Sequence, residues 1–311
     1  MRSGLPASVG RGWLCRPRDN VEGMDTCSLG PFTVHRIGFG AMQLPGPGVM
    51  GPPRDHDEAV AVLRRAVELG VDHIDTAQFY GPDVSNELIR EALHPYSDDL
   101  VLVSKVGAFR DDQGGWLPGQ RPEQLRSAVE DNLRSLGTDR LGAVNLRLMD
   151  QHELSADQRV PLEEQLAEMV ALRDEGKIAG VGISSATRAQ VEQAIAQADI
   201  VCVQNAFSLV DQKDTDVLDL CQDSGVAYVP FFPLGSAFPG MPKVTENAAV
   251  RAVAERVDAS PAQVGLAWLL AHRDNVLLIP GTSSVAHLEE NMKVAGVTLS
   301  GDDVAELENG V

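Results

Sequence analysis

Four side chains that carry charge or exchange protons follow short apolar runs of this chain. Asp75 ends the run HID, Tyr80 follows five residues later, Lys105 ends LVLVSK, and Asp150 ends NLRLMD. A lysine beside a tyrosine favours the phenolate and lowers the phenol's pKa, and a carboxylate beside the lysine keeps the lysine charged. Such a tyrosine is a general acid near neutral pH. The residues therefore predict proton donation by Tyr80, provided that the fold brings them together.

A proton donor of this kind implies a second reactant. Protonating a carbonyl oxygen is useful only when a hydride reaches the carbonyl carbon, and no protein side chain donates hydride, so a nicotinamide cofactor is expected. Ser184 and Gln204 carry groups that hydrogen-bond a carboxamide, and Phe231 offers a flat face to the nicotinamide ring. Each residue alone has an ordinary explanation as a cap, a solvent-exposed lysine or a core aromatic. Their coincidence favours a site.

The elements that must position these residues follow from the hydrophobic pattern. From residue 34 onward, short apolar runs alternate with longer helical patterns, as in βαβ units with a parallel sheet. Eight runs are present, at 36–42, 73–75, 100–105, 143–149, 179–184, 200–204, 227–232 and 276–280. They predict a closed (β/α)8 barrel, an α/β fold whose chemistry lies at the carboxyl ends of its strands. A doubly wound open sheet is the alternative, but no GxGxxG motif opens a first helix.

Helical periodicity agrees with this architecture. Apolar residues recur at i, i+3, i+4 and i+7 in the stretches 56–70, 121–137 and 161–177, each of which has Gly or Lys near its end. A further helix pair is predicted after the seventh strand, at 245–257 and 260–273.

Composition limits the function further. The chain has 311 residues, 43% of them hydrophobic, which is enough for one large domain, and we expect that domain to span residues 24–311. Its net charge of −19 disfavours nucleic acid and anionic membranes as partners. The four cysteines show no CxxC spacing, which fits a reducing cytoplasm. Residues 1–23 contain four arginines but no signal-peptide apolar run, so we expect a disordered extension, with Met24 as a second possible start.

Several motifs resemble the aldo-keto reductase family over about residues 32 to 309. GVDHIDTAQFYG (70–81) resembles the family's GxxxxDTAxxYG signature, which assigns the family's catalytic Asp to Asp75 and its proton-donating Tyr to Tyr80. LVSKVG (102–107) assigns the catalytic Lys to Lys105. The resemblance implies an NAD(P)H-dependent enzyme acting on a small carbonyl compound. VPFFPLG (229–235) with PGTSSVAHLEEN (280–291) is similar to a bacterial branch that includes pyridoxal reductases.

The same resemblance implies the cofactor and its contacts. VGIS (181–184), VQN (203–205) and LIPGTSSVAHLEEN (278–291) resemble the family's nicotinamide and adenine-phosphate segments, and the family uses NADPH more often than NADH. The residues implied are Ser184, Ser185, Gln204, Phe231, Leu234, Ser236, Gly281, Thr282, Ser283, His287 and Asn291. No metal is expected.

Two departures from the family pattern affect cofactor binding. Where the family commonly has Ser-Asn after the fifth strand, this chain has Ser184-Ser185, so one amide contact to the carboxamide is lost or made by a hydroxyl. The family often has a basic side chain that binds the 2′-phosphate. In this chain His287 occupies that position, and a histidine loses its positive charge above its pKa.

The third departure concerns the substrate. In the common pattern the fourth strand ends in a histidine that hydrogen-bonds the substrate carbonyl, and aligning NLRLMD with that strand places Asp150 there. Asp150 then acts as a protonated acid with a raised pKa, or is an ionised loop residue while His152 reaches in. Strand alternation favours Asp150, because it puts Val144, Leu146 and Leu148 on the same face. A family subgroup with an acid here reduces activated carbon–carbon double bonds, and other members bind cofactor as regulatory subunits, so both remain alternatives to carbonyl reduction.

Overall fold

The computed structural model describes residues 25–150, 154–235 and 242–311, which form a barrel of parallel strands surrounded by helices. In chain order the elements are β1 (Thr26–Leu29), β2 (Phe32–His35), β3 (Phe39–Gly40), α1 (His56–Glu68), β4 (His73–Asp75), α2 (Val84–Leu93), β5 (Val101–Val106), β6 (Ala108–Arg110), β7 (Trp116–Pro118), α3 (Pro122–Leu136), β8 (Ala143–Arg147), α4 (Leu162–Asp174), β9 (Val181–Ser184), α5 (Arg188–Ala198), β10 (Cys202–Gln204), α6 (Thr215–Ser224), β11 (Ala227–Tyr228), α7 (Ala248–Arg256), α8 (Pro261–His272), α9 (Val285–Met292) and α10 (Gly301–Asn309). Short 3-10 helices at Ala41–Gln43, Pro47–Val49, Val244–Glu246 and Lys293–Gly296 lie in the connections.

The barrel closes through a short eighth segment, residues 276–278. Seven strands pair in parallel in the order β3-β4-β5-β8-β9-β10-β11. Val276 then bridges to Tyr228, and Leu278 bridges to Ile37, both in parallel. The N–H of Gly38 donates to the Leu278 carbonyl at 2.8 Å. The predicted (β/α)8 barrel is confirmed, although the segment in the position of the eighth strand pairs through isolated bridges and is not a regular strand.

The helices form where the sequence supplies both an apolar face and an N-terminal cap. Asp55 caps α1 by accepting a hydrogen bond from the Glu58 N–H at 3.0 Å, and Thr187 and Ser260 form capping boxes at α5 and α8. The predicted helices at 56–70, 121–137 and 161–177 are present as α1, α3 and α4, and the predicted pair after the seventh strand is present as α7 and α8.

Alternation along the strands separates two apolar layers. Val101 and Val103 of β5 pack with Ala143 of β8 in a cluster inside the barrel. Val144 and Leu146 of β8 belong instead to the larger cluster between the strands and the helices. Odd-numbered residues of β5 and β8 therefore face the barrel interior, and even-numbered residues face the helices.

Two hairpins that the sequence did not predict cover the ends of the barrel. β1 pairs antiparallel with β2, and its Cys27 and Leu29 join the interior cluster, so this hairpin closes the amino-terminal end of the barrel. β6 pairs antiparallel with β7 immediately after β5, so this second hairpin overhangs the carboxyl-terminal end. That end is called the mouth below.

Within these described ranges, no helix is long and apolar enough to cross a membrane. The predicted extension at 1–23, Met24, His152 and Ser236 lie outside the described residues.

Candidate active site

An ion pair lies inside the barrel, just below the mouth. Asp75 is the last residue of β4, and its Oδ1 accepts a hydrogen bond from Nζ of Lys105 in β5. Lys105 also donates to the Thr76 carbonyl at 3.0 Å, and Gln204 Nε2 donates to Asp75 Oδ2 at 2.9 Å. Asp75 is 4% exposed and Lys105 is 6% exposed. Because both charges are buried, each depends on the other and on these fixed hydrogen bonds.

Tyr80 joins this pair from the loop after β4. Its ring centroid lies 4.9 Å from Lys105 Nζ, and the side chain is 7% exposed. The Tyr80 N–H donates to the Ala77 carbonyl at 3.0 Å, which helps to fix the loop. The structure thus brings together Asp75, Tyr80 and Lys105, which the sequence placed at the ends of neighbouring strands.

Burial and charge act on these groups in opposite directions. Burial raises the pKa of Tyr80, the Lys105 ammonium opposes it, and the net pKa lies above its ordinary value. Lys105 does lower the pKa of the phenol, as expected, but the effect of burial is larger. The prediction that the pKa of Tyr80 falls below its ordinary value is therefore wrong. Burial lowers the pKa of Lys105, but attraction to the Asp75 carboxylate, with a further contribution from Tyr80, outweighs burial, and the net pKa is raised. At neutral pH Tyr80 therefore carries its proton and Lys105 carries its charge.

Aromatic side chains and an arginine form the wall beside Tyr80. The Phe79 ring meets the Tyr80 ring edge to face at 5.5 Å and the Trp116 ring at 5.2 Å. Trp116 lies on β7, and the guanidinium of Arg110 stacks on it at 3.9 Å. These contacts depend on the β6–β7 hairpin, which was not predicted from the sequence.

The structure contradicts the surroundings expected for Asp150. The residue lies three positions beyond the end of β8, and it is exposed, so the closed apolar site that would keep the acid neutral is missing. The prediction that Asp150 shares the inner face of β8 with Val144, Leu146 and Leu148 is wrong, because these three residues pack against the helices.

The residue that ends β8 on the inner face is Arg147. It follows Ala143 and Asn145 at alternate positions, and Asn145 is register-paired with Lys105. Sequence reasoning missed Arg147 because it took the apolar face of the strand for the interior. In a barrel flanked by helices both faces are covered, so a polar residue every second position at the end of a strand was the usable signal.

The predicted carboxamide contacts lie at the ends of β9 and β10. Ser184 is buried and register-paired with Gln204, whose amide nitrogen is held by Asp75. Ser185 is exposed, with φ of 58°, and its N–H donates to the Gln204 carbonyl at 3.1 Å. A left-handed backbone suits asparagine better than serine, so Ser185 carries mild strain here.

The loop after β11 places aromatic and apolar residues at the same mouth. Phe231 is half-buried, bridges to Ala206, and meets the Phe232 ring edge to face at 5.1 Å. The Leu234 carbonyl accepts from the Val244 N–H at 3.0 Å, which ties this loop to the connection before α7.

The remaining predicted residues lie just before α9 and along it. Gly281 approaches β3 so closely that a Cβ there would lie 2.5 Å from the Gly40 carbonyl oxygen. Thr282 is buried and accepts from the Ser284 N–H at 3.1 Å, whereas Ser283 and His287 are exposed and Asn291 is half-buried.

A carboxylate already occupies part of this helix terminus. Glu58 of α1 accepts a hydrogen bond from the Val285 N–H at 3.0 Å. The N-terminus of a helix attracts anions, and here one of its N–H groups holds a side chain of the protein itself. The sequence analysis missed Glu58, because it lies more than 200 positions away along the chain.

Comparison with known proteins gives the family. The Aldo/keto reductase family model matches residues 36–310. Pyridoxine 4-dehydrogenase of Escherichia coli is 47% identical over 286 residues, which are 91% of this chain and 97% of the relative. An uncharacterised oxidoreductase of Schizosaccharomyces pombe is 38% identical, over 91% of this chain and 89% of its own.

Solved structures agree with the sequence relatives. A thermostable aldo-keto reductase in complex with the inhibitor epalrestat matches with a TM-score of 0.77 and 28% identity, over 92% of this chain and 99% of its own. An aldo/keto reductase of Klebsiella pneumoniae in complex with NADP and acetate matches with a TM-score of 0.73 and 26% identity, over 89% and 91%. The chain therefore belongs to the aldo/keto reductase family, a family of NAD(P)H-dependent oxidoreductases.

Proposed function

We propose that this protein uses NADPH to reduce an aldehyde or ketone to the alcohol, with pyridoxal-like aromatic aldehydes as the favoured substrates. One observation carries the proposal: a buried tyrosine, held protonated, lies beside a buried lysine that is paired with a carboxylate.

Each residue of this group has one task in the proposed reaction. When bound, the nicotinamide supplies the hydride that reaches the carbonyl carbon. Tyr80 gives its proton to the carbonyl oxygen as negative charge develops there. Lys105 stabilises the phenolate that remains, and Asp75 with Gln204 holds Lys105 in place.

The residues at the mouth fit this cofactor. Ser184, Gln204 and the half-buried ring of Phe231 lie at the ends of three adjacent strands, where a carboxamide and its ring need donors and a flat face. We assign the 2′-phosphate to Thr282, Ser283 and His287 at the start of α9. NADP and NADPH in the structures from Klebsiella pneumoniae support the choice of cofactor.

Two observations favour an aromatic aldehyde. The relative from Escherichia coli is named for oxidation of pyridoxine, an aromatic alcohol, and the reverse of such an oxidation reduces an aromatic aldehyde. Beside Tyr80, the Trp116 ring is 42% exposed and rests on the buried Phe79 ring, so it gives the mouth an aromatic side against which a flat substrate packs. The double-bond alternative loses its motivation, because it depended on an acid at the end of the fourth barrel strand.

Replacing Tyr80 tests the assignment. In Tyr80→Phe we expect kcat for NADPH-dependent reduction of an aromatic aldehyde panel to fall by about 100-fold or more, since the general acid is lost. Fluorescence titration should show unchanged NADPH affinity. Tyr228→Phe is the matched control, because the Tyr228 hydroxyl is buried outside the site and has no hydrogen-bond partner. Near-normal turnover by Tyr80→Phe would overturn the proposal.

A further inference from the structure

Arg147 lies between the two halves of the proposed site. It is the last residue of β8, on the inner face, one inward position beyond Asn145, which is level with Lys105. On its other side it is register-paired with Ser184, the proposed carboxamide contact. A group at this position faces the space above Lys105, between the proton donor and the proposed nicotinamide position.

The guanidinium of Arg147 lies beside Trp116 and Met149, near enough to Tyr80 for its charge to act on the phenol. Its guanidinium carbon lies 4.8 Å from the centroid of the Trp116 ring, and Nη1 lies 2.7 Å from Met149 Sδ. Its positive charge is one of the contributions that lower the pKa of Tyr80. Arg147 is half-buried, and Trp116 is 42% exposed.

A guanidinium offers more than the single donor of a histidine. Its two parallel N–H groups match two oxygen atoms that lie side by side, and its charge persists at every physiological pH. An aromatic aldehyde with a hydroxyl on the adjacent ring carbon presents such a pair, namely the carbonyl oxygen and the hydroxyl oxygen. Ionisation of that hydroxyl strengthens the pairing.

We propose that Arg147 binds both oxygens of such a substrate, so that the enzyme selects aromatic aldehydes with an adjacent hydroxyl. This inference rests on the proposed carbonyl reduction. One N–H group of Arg147 donates a hydrogen bond to the carbonyl oxygen that Tyr80 protonates. A second N–H group donates to the oxygen of the adjacent hydroxyl.

Turnover of two isomers tests this selectivity. For 2-hydroxybenzaldehyde and 3-hydroxybenzaldehyde, the ratio of kcat/KM values is compared between wild type, Arg147→Lys and Arg147→Met, so that the intrinsic reactivity of each aldehyde cancels. We expect the ratio of kcat/KM for the 2-isomer to that for the 3-isomer to fall about tenfold in both variants. Lysine keeps the positive charge but lacks the two parallel N–H donors. Arg134→Met, on the exposed side of α3, is the control and should keep the wild-type ratio. Equal losses for both aldehydes, or an unchanged ratio in Arg147→Lys, would overturn the inference.

A binding measurement separates this inference from the proposed reaction. Calorimetry with the protein saturated with NADP+ compares 2-hydroxybenzamide with 3-hydroxybenzamide, whose carbonyl groups are not reduced. We expect tighter binding of the 2-isomer by wild type and loss of the difference in Arg147→Lys and Arg147→Met. If no aldehyde is reduced but this preference is found, the proposed reaction fails while the site stands. If wild type shows no preference, the site fails even though aldehydes are turned over.

Discussion

At the scale of single residues, the central feature is a phenol whose proton is retained by burial. The apolar rings around Tyr80 disfavour the phenolate, and the Lys105 ammonium recovers only part of that cost. The result suits a group that must arrive at the substrate as an acid, because its protonated form is fully populated at neutral pH. Lys105 matters most after the proton has left, when a phenolate stands beside it.

This balance predicts the pH profile of carbonyl reduction. Because the pKa of Tyr80 is raised, the acid is present below that pKa and is lost only as pH rises through it. We expect kcat/KM to stay level through neutral pH and to fall only near or above the ordinary tyrosine value of about 10. Steady-state kinetics across that range check the profile. A fall centred near pH 7 would show that another group limits the reaction.

The contrast between Asp150 and Arg147 shows what residue types alone decide. Asp75, Tyr80 and Lys105 were identifiable because their types and their positions at strand ends both pointed to proton transfer. The face of β8 was not identifiable, because both faces of a barrel strand are covered and apolar periodicity does not say which face is inside.

At the scale of elements, the start of α9 is shared by the proposed phosphate site and Glu58. A negative charge that holds the Val285 N–H weakens the attraction of this terminus for a second anion. The start of α9 should therefore bind the 2′-phosphate of NADPH less tightly than its hydroxyl-rich sequence suggests.

Removing that charge should strengthen phosphate binding. Glu58→Gln keeps an oxygen for the Val285 N–H, so we expect the Kd for NADPH to fall by about two- to fivefold, as a helix-terminus charge of about 0.3–1 kcal/mol implies, while the Kd for NADH stays unchanged. Fluorescence titration of both cofactors checks this. Asp57→Asn, a fully exposed acid on the same helix, is the control. An equal change for NADH and NADPH would place the 2′-phosphate elsewhere.

Besides its apolar packing, the hairpin of β1 and β2 is tied to the barrel by a carboxylate. Asp72, just before β4, accepts the His35 N–H through both oxygens at 3.0 Å, and its Oδ2 lies 3.1 Å from His35 Nδ1. Burial raises the pKa of Asp72, but the bonds from His35 and His73 outweigh it, and the net pKa lies far below the ordinary range.

The lowered pKa gives a pH-dependent contribution to stability. It is fully present above the ordinary aspartate value of about 3.9 and is lost as pH falls from there toward the lower folded pKa. We expect Asp72→Asn to lower the free energy of unfolding by about 1–3 kcal/mol at pH 7, and by less at pH 3. Urea unfolding at both pH values measures this, with Asp223→Asn on the exposed side of α6 as control. A difference that does not shrink toward pH 3 would contradict this origin.

Neither hairpin was predicted, and the reasons are physical. β1 and β2 lie in a stretch with no long alternation of apolar and polar residues, and their strands form because Cys27 and Leu29 pack against the barrel interior. β6 and β7 have three residues each, and Trp116 and Leu117 are exposed. Short strands that depend on distant contacts leave little local signal.

At the scale of the whole molecule, the barrel itself was predictable because eight repetitions of one unit leave few alternatives. The manner of closure was not. Residues 276–280 have the composition of a strand, yet they pair through isolated bridges, and the seam between Gly40 and Gly281 works because neither residue has a side chain to separate the backbones.

This seam has a consequence for how the protein is made. β3 is synthesised more than 200 residues before Leu278, whose bridge to Ile37, just ahead of β3, closes the sheet. Until then, a growing chain on the ribosome carries a sheet with an unpaired edge, the kind of edge at which nascent proteins associate with one another. The chain therefore gains its enclosed site only after Leu278 has been synthesised, and until then that edge stays open to association with other chains.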